Sequence, residues 1–250
     1  MIPKNIHYCW FGDDMPIHLK EIVNGWKSLM PDYTFYFWGN EHINDYPIKF
    51  VKQAKHKKHY AFVSDYFRLR KVYEYGGFYL DTDMLLVKSL NELREFEFII
   101  CSEVMNRPSW GFFGSESINP FLKDVFEKYH FLEYDQFKAP VIPYFLKDNV
   151  LNYVSENPRI RINLMPHFFY PMPVEVATMY YDSFITSDTY GVHLWDFSWI
   201  ELRTNRNLFH EVMYRGKVLI KDLISFNYSP YYYRINIIRI IRLLKHANFR

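Results

Sequence analysis

Cysteine is almost missing from this chain. Cys9 and Cys101 stand in apolar runs, outside any Cys-x-x-Cys or Cys/His cluster. That excludes a disulfide framework and a thiolate zinc site, and both are expected as small buried hydrophobes in a reducing compartment. No apolar run reaches the roughly 18 residues that a bilayer-spanning helix needs. The start, MIPKNIHYCWFG, lacks an apolar leader with a cleavage site, so export is not expected. Net charge is only +2, too small by itself to argue for nucleic acid. There is no Gly/Lys-rich phosphate loop, internal repeat, low-complexity segment or long linker.

What is present fits one large domain, or one domain with a small appendage, in 250 residues. Hydrophobic residues make up 49% and charged residues 23%, the balance of a soluble globular protein. Aromatics reach 20%, enough for a ring-lined cleft or for a heavily aromatic core.

Asn5–Phe11 is rich in strand formers and ends near Gly12. Pro16 opens a helical pattern over Ile17–Met30, and Pro31–Asn40 gives turn, strand, turn. This β-α-β start predicts an α/β domain with parallel strands. Lys52–Tyr60 is basic and polar. AFVSDYFRLRKVYEY then reads as a helix stopped by a left-handed cap at Gly76–Gly77, and FYLDTDMLLV as the next strand. FEFIICSE and SWGFFGS are two further strands. Pro120–Tyr134 and Asn149–Glu156 are helical, while HFFYPMPVE and YGVHLWDFSW are short β or loop pieces. No acidic residue follows Asp222. Arg234–Arg250 places Asn236, Arg239, Arg242 and Lys245 three apart between Ile and Leu, as in a basic amphipathic helix.

Asp81 and Asp83 interrupt an apolar strand pattern. Two apart, they share a strand face with Cα atoms roughly 7 Å apart. In a partly dry cleft two carboxylates repel and lose hydration. Solvent, a basic partner or a divalent metal relieves this; Arg68, Arg70 and Lys71 on the preceding helix cannot all reach. Mg²⁺ or Mn²⁺, which prefer carboxylate oxygens, answer the problem most directly and also take a substrate phosphate. The bland alternative is a turn at Asp81 and a solvated Asp83 at a strand end.

The stretch AFVSDYFRLRKVYEYGGFYLDTDMLL, with IPKNIHYCWFG and HLWDFSW, resembles the DXD-containing sugar transferases of glycosyltransferase family 32. That family includes yeast mannosyltransferases and bacterial capsular-polysaccharide enzymes. The chain also looks like a shortened glucosyltransferase domain of the large clostridial toxins. The match is strong over Ile2–Trp38 and Ala61–Leu90 and thin from Asn91 to about Tyr190. The pattern A-x-x-S-D-x-x-R…G-G-x-Y-x-D-x-D is far more specific than D-x-D alone.

The resemblance implies a GT-A (Rossmann-like) α/β fold over residues 1–230, followed by the helical tail 231–250. It implies transfer of a sugar from a nucleotide-diphosphate donor, UDP-linked by preference and GDP-linked as the alternative, to a glycan or lipid-linked acceptor. It implies a Mn²⁺ or Mg²⁺ cofactor and retention of anomeric configuration. Trp10 would stack on the base, with Ser64 and Asp65 beside base and ribose. Arg68 would reach the diphosphate or sugar, and Tyr79 would support the diphosphate side. Asp83 would ligate the metal directly. Asp81 would touch ribose, sugar or a metal-bound water, His193 would complete the metal shell, and Ser198 and Trp199 would close over the donor.

Each of these residues has a plainer reading. Trp10, Tyr79 and His193 fit a core, Ser64 fits a helix N-cap, and Asp65 with Arg68 fits a surface i,i+3 pair. Asn106, Ser109 or Trp110 stand where relatives carry a polar Asn, and Glu103 is either sugar-facing or an ordinary strand-end residue. Asp196 has no assigned role. Capsule or O-antigen synthesis in the cytoplasm fits the resemblance, with the tail on the inner face of the plasma membrane or packed on protein. The alternatives are a non-catalytic nucleotide-sugar-binding or scaffold protein, and another Mg/Mn-dependent enzyme of phosphate esters.

Overall fold

The computed structural model describes residues 1–104, 107–135, 141–157, 168–172, 181–182, 184–196, 237 and 241. Its centre is a five-stranded sheet in the order β2-β1-β3-β6-β5. β1 (Asn5–Cys9) pairs in parallel with β2 (Thr34–Trp38) and with β3 (Gly77–Leu80). β6 (Arg107–Ser115) runs antiparallel to β3 and to β5 (Phe98–Val104). The expected α/β class with a parallel, Rossmann-like first half is therefore present, joined to an antiparallel second half.

Helices cover both faces of the sheet, which is why its central strands are buried throughout rather than alternating with water. On one face α1 (Ile17–Leu29) packs Leu19, Val23 and Trp26 against Ile6, Tyr8, Phe78, Leu80 and Phe112. On the other, α3 (Tyr60–Tyr75) packs Val63, Tyr66, Phe67, Leu69 and Val72 against Cys9, Tyr79 and Phe113. α2 (Lys49–His56) and α4 (Pro120–Glu127) join that second layer, as do α5 (Ile142–Phe145) and α6 (Lys147–Glu156). Cys9 and Cys101 are free and buried.

Three local readings change. The basic segment near Lys52 is helical, because Phe50, Val51 and Ala54 line one buried face of α2. The strand FYLDTDMLLV is two strands. β3 ends at Leu80, β4 (Met84–Leu86) pairs instead with β7 (Gly191–His193), and the Met84 amide donates to the Asp81 carbonyl at 3.0 Å across a turn. The helix predicted over Pro120–Tyr134 stops at Glu127 and tightens into a 3₁₀ turn, Lys128–Phe131.

The double glycine does end α3, but Gly76 has φ 63° and ψ 171°, a glycine-only extended conformation rather than the left-handed helical cap expected. Gly77, at φ 117°, has no room either: a Cβ there would sit 2.5 Å from the Asn5 carbonyl oxygen. The turn brings the Gly76 carbonyl to His7 Nε2 at 2.9 Å, while His7 Nδ1 accepts from Trp38 Nε1 at 3.2 Å. His7 is fully buried, and burial pushes its pKa down to about 4. The tail helix Arg234–Arg250 and the boundary near residue 231 lie outside the described residues, apart from the helical, half-exposed Ile237 and Ile241. No helix among the described residues is long and apolar enough to cross a membrane.

Candidate functional site

Because β1 and β3 run in parallel, the residues just past both C-terminal ends meet at one sheet edge, where open α/β sheets hold ligands. Trp10 follows β1 and Asp81 follows β3. The break after β3 turns Asp81-Thr82-Asp83 across that edge and delivers Asp83 to β7. There the Leu194 amide donates to the Asp83 carbonyl and the Asp196 amide to Asp83 Oδ2, both at 2.9 Å. His193, the last residue of β7, stands 3.4 Å from Asp83 Oδ1 and 3.8 Å from Asp81 Oδ2 through Nε2. One ligand atom from each of Asp81, Asp83 and His193 falls within 4.8 Å of the others.

Arg68 lies behind Asp81. It reaches up from α3 and is held on several sides. Its Nη1 donates to the Trp110 carbonyl at 3.0 Å and stands 3.4 Å from Asp81 Oδ1. Nη2 pairs with Asp65 at 3.2 Å, Nε donates to the Ser64 carbonyl at 3.3 Å, and the guanidinium lies 4.7 Å over the Tyr79 ring. Tyr79 donates its hydroxyl to Asp81 Oδ1 at 2.9 Å. Asp65 and Arg68 thus form a buried pair, not the surface pair of the plainer reading, because the helix face carrying them packs on the sheet. Ser64 is interior to α3, which starts after His59, so it is no N-cap.

The charges divide unequally. Burial pushes the Asp81 carboxyl upward, but Arg68, His193 and the Tyr79 hydroxyl outweigh it and hold Asp81 below the usual range. Asp83 is pushed up by burial against the opposing pull of His193. Burial would lower His193, yet Asp83 and Asp81 raise it. Asp65 rises to about 7 because burial outweighs the attraction of Arg68. Two carboxylates and an imidazole this close together are a donor set for a divalent cation. Like charges so close and so dry fit a cation between them.

Glycine 111 was not marked from the sequence as part of the site. β5 and β6 pair as Ile100↔Phe113 and then Cys101↔Ser109, so Trp110, Gly111 and Phe112 bulge from that ladder. On its other side β6 keeps its register with β3 one residue past Leu80↔Phe112, so the Gly111 carbonyl accepts from the Asp81 amide at 2.8 Å. A Cβ on Gly111 would stand 2.7 Å from Asp81 Oδ2. A glycine inside a strand pattern is the available signal for such close approach. Asp196 gains a role as well: its side chain meets His18 Nε2 at 2.5 Å, tying α1 to the turn after β7. Trp195 in that turn takes φ 56°, an uncommon conformation for a bulky residue, and its ring lies 4.3 Å from that of His193.

The remaining expected residues are dispersed. Trp10 is half-buried, packs with the α1-side core and donates Nε1 to the Asp13 carbonyl at 2.7 Å. Trp110 is buried and serves Arg68 through its carbonyl. Ser109 is buried, and Glu103 pairs with Arg107. Asn106, Ser198 and Trp199 lie outside the described residues.

Residues 16–99 match the family described as "Glycosyltransferase sugar-binding region containing DXD motif", a span that includes Arg68 and both aspartates. The chain is 28% identical over 184 residues to mannosyl phosphorylinositol ceramide synthase SUR1 of Saccharomyces cerevisiae, covering 68% of this chain and 48% of that protein. It is 23% identical over 185 residues to human alpha-1,4-N-acetylglucosaminyltransferase, covering 68% and 50%. The chain therefore spans about half the length of these curated relatives. Among solved structures, the PaToxG glycosyltransferase superposes with TM-score 0.49 at 16% identity, over 62% of this chain and 70% of that one. The resemblance to DXD-containing sugar transferases, read first from the motif, is matched in these comparisons.

Proposed function

We propose that the protein is a glycosyltransferase. In this reading it moves a sugar from a nucleoside diphosphate to a hydroxyl of a glycan or lipid-linked acceptor, with a divalent cation held by Asp83, Asp81 and His193. The observation that carries this reading is the convergence of those three side chains with Arg68 beside them at the C-terminal edge of the parallel strands. When bound, the cation supplies Lewis-acid neutralisation of the leaving diphosphate. Two carboxylate oxygens and an imidazole nitrogen suit Mn²⁺ better than Mg²⁺, which prefers oxygen alone.

The chain's own residues have distinct parts in this reading. Arg68 is fixed before substrate arrives, so its charge stabilises developing negative charge without reorganisation. Asp65 and Tyr79 hold Arg68 and Asp81 in register. Trp10 takes the base and Ser64 the base–ribose side, with Ser198 and Trp199 closing over the donor. Asp65 is engaged by Arg68 and Glu103 by Arg107, so neither is read as a nucleophile. Retention by front-face attack, guided by the leaving phosphate, is therefore favoured over a covalent intermediate. One relative is named for a phosphorylinositol ceramide product, which supports a lipid-linked acceptor. Capsule or O-antigen synthesis at the cytoplasmic face of a membrane is the setting proposed, with Arg234–Arg250 as the membrane contact.

Nucleotide release from a panel of uridine and guanosine diphosphate sugars with Mn²⁺ tests the reading. Asp83→Ala should abolish transfer and donor hydrolysis while the far-ultraviolet spectrum stays unchanged. Near-normal turnover of that variant with added Mn²⁺ refutes the site. Release of nothing from any donor favours a binding or scaffold protein, and hydrolysis of simple phosphate esters favours a phosphoesterase. Loss of anionic-vesicle binding on deleting residues 233–250 tests the membrane contact.

A further inference from the structure

Tyr144, in α5, is 64% exposed and yet fixed in place. Arg107, the first residue of β6, donates Nη1 to its hydroxyl at 3.0 Å, and the guanidinium lies 5.4 Å from the centre of its ring. Arg107 also pairs with Glu103 of β5. The guanidinium charge is thus balanced by a carboxylate. The ring gives up its freedom before any ligand arrives, which lowers the cost of binding one. A single exposed aromatic is ordinary on a protein surface. One that is clamped at its hydroxyl while its face stays open is a prepared surface.

Topology sets this corner beside the aspartates. β6 runs antiparallel to β3 with Leu80 opposite Phe112, so the positions before Phe112 lie beyond the C-terminal end of β3. Arg107 stands four residues before Gly111, whose carbonyl accepts from the Asp81 amide. At about 3.3 Å per residue that separation is roughly 13 Å, the reach of a short chain of linked sugars. β5 ends alongside, with Val104 opposite Arg107, and Glu103 is near enough to help raise His193. The sheet order β2-β1-β3-β6-β5 puts the corner on the side of the aspartates away from β1 and Trp10. A donor that runs from Trp10 to the cation leaves the β5–β6 end to the acceptor.

A flat ring suits the C–H face of a pyranose, and the hydroxyls at the sugar's edge need polar partners. The Tyr144 hydroxyl accepts from Arg107 and keeps its own proton to donate, while Glu103 accepts. An anionic group gains little from an arginine that Glu103 already neutralises.

We propose that Tyr144, braced by Arg107 and Glu103, is an acceptor subsite for a neutral sugar unit beyond the ring that is glycosylated. This rests on the glycosyltransferase reading above.

The test is Tyr144→Ala, an exposed position whose change leaves the core alone. Acceptors are octyl glycosides of neutral hexoses, as monosaccharides and as the matching di- and trisaccharides, with a donor that the wild-type protein hydrolyses. The wild-type protein should use the longer glycans at higher kcat/KM. In Tyr144→Ala that advantage should shrink about three- to tenfold, through acceptor KM. Affinity for the free nucleoside diphosphate with Mn²⁺ and the thermal midpoint should hold. Tyr144→Phe, which keeps the ring, should retain most of the advantage. An undiminished advantage in Tyr144→Ala overturns the inference, as does a loss that falls equally on monosaccharides and longer glycans. A loss seen only with dodecyl glycosides in phosphatidylcholine vesicles makes Tyr144 a lipid contact and overturns it too. Donor hydrolysis by a wild-type protein with no preference for longer glycans sinks this inference alone. If the wild-type protein releases no nucleotide from any donor, the transferase reading fails and this inference fails with it.

Discussion

Arg68 offers a test that separates fold from chemistry. The residue is 7% exposed, and its guanidinium engages Asp65, Asp81 and two carbonyl oxygens. Arg68→Met keeps most of the apolar stem against Tyr79 but leaves Asp65 buried beside no cation. Removing one partner of a buried pair costs about 3–5 kcal/mol. For a domain of this size that corresponds to a fall in thermal midpoint of roughly 6–20 °C. Much of the loss is the Asp65 carboxyl, left without its cation and driven by burial to take up a proton, a cost that Asp65→Asn removes. The double variant should therefore recover roughly half of the lost stability, measured by calorimetry or denaturant unfolding. It should recover no nucleotide release, since the charge at Asp81 is still missing. A double variant no more stable than Arg68→Met would refute the claim that an unpaired Asp65 carries the penalty. Recovery of turnover would refute a direct part for Arg68.

Three other outcomes follow from local geometry. His7 is held near pKa 4 by burial, against an ordinary 6.5, so the unfolded chain takes up its proton first as pH falls. Its stabilising contribution is complete above about pH 6.5 and shrinks toward pH 4 by about 3 kcal/mol. His7→Gln should flatten that part of the stability profile relative to the wild-type protein, and identical slopes would remove the argument. Gly77→Ala forces a Cβ onto the Asn5 carbonyl oxygen at positive φ, so unfolding should become easier by more than about 1 kcal/mol, read from the denaturant midpoint. Gly111→Ala meets only the ends of the Asp81 and Tyr170 side chains, which can shift, so stability should barely move. Mn²⁺ affinity by titration calorimetry should fall about 10- to 100-fold, as for other residues that orient a metal ligand. Unchanged affinity would show that Asp81 does not need the bare Cα.

Much of the parallel half of the fold was legible. Apolar runs and caps located β1, α1, β2 and α3 because each is decided within a few residues, by strand formers, a proline start or a glycine stop. The Asp81/Asp83 pair stood out because charge inside an apolar run is locally costly. The break of FYLDTDMLLV was not legible: β4 leaves the main sheet only because β7, more than 100 residues later, offers it a partner. The helix at Lys49–His56 was hidden for a different reason. Its buried face is short, and the segment read only as basic and polar.

Sequence alone determined which side chains carry chemistry and on which elements most of them stand. Asp65, Arg68 and Tyr79 lie within one helix–glycine–strand unit whose geometry is local, and Asp81 and Asp83 stand in the turn just beyond it, not on one strand face as expected. Tertiary structure decided what they do to one another. His193 reaches the aspartates only through the β4–β7 pairing, and Asp65 becomes a buried charge only because α3 packs on the sheet. Gly111 matters only because the β3–β6 register lays its bare Cα against Asp81. Hydrogen-bond ladders between distant strands and the loss of water around a charge are non-local, so no window of sequence contains them.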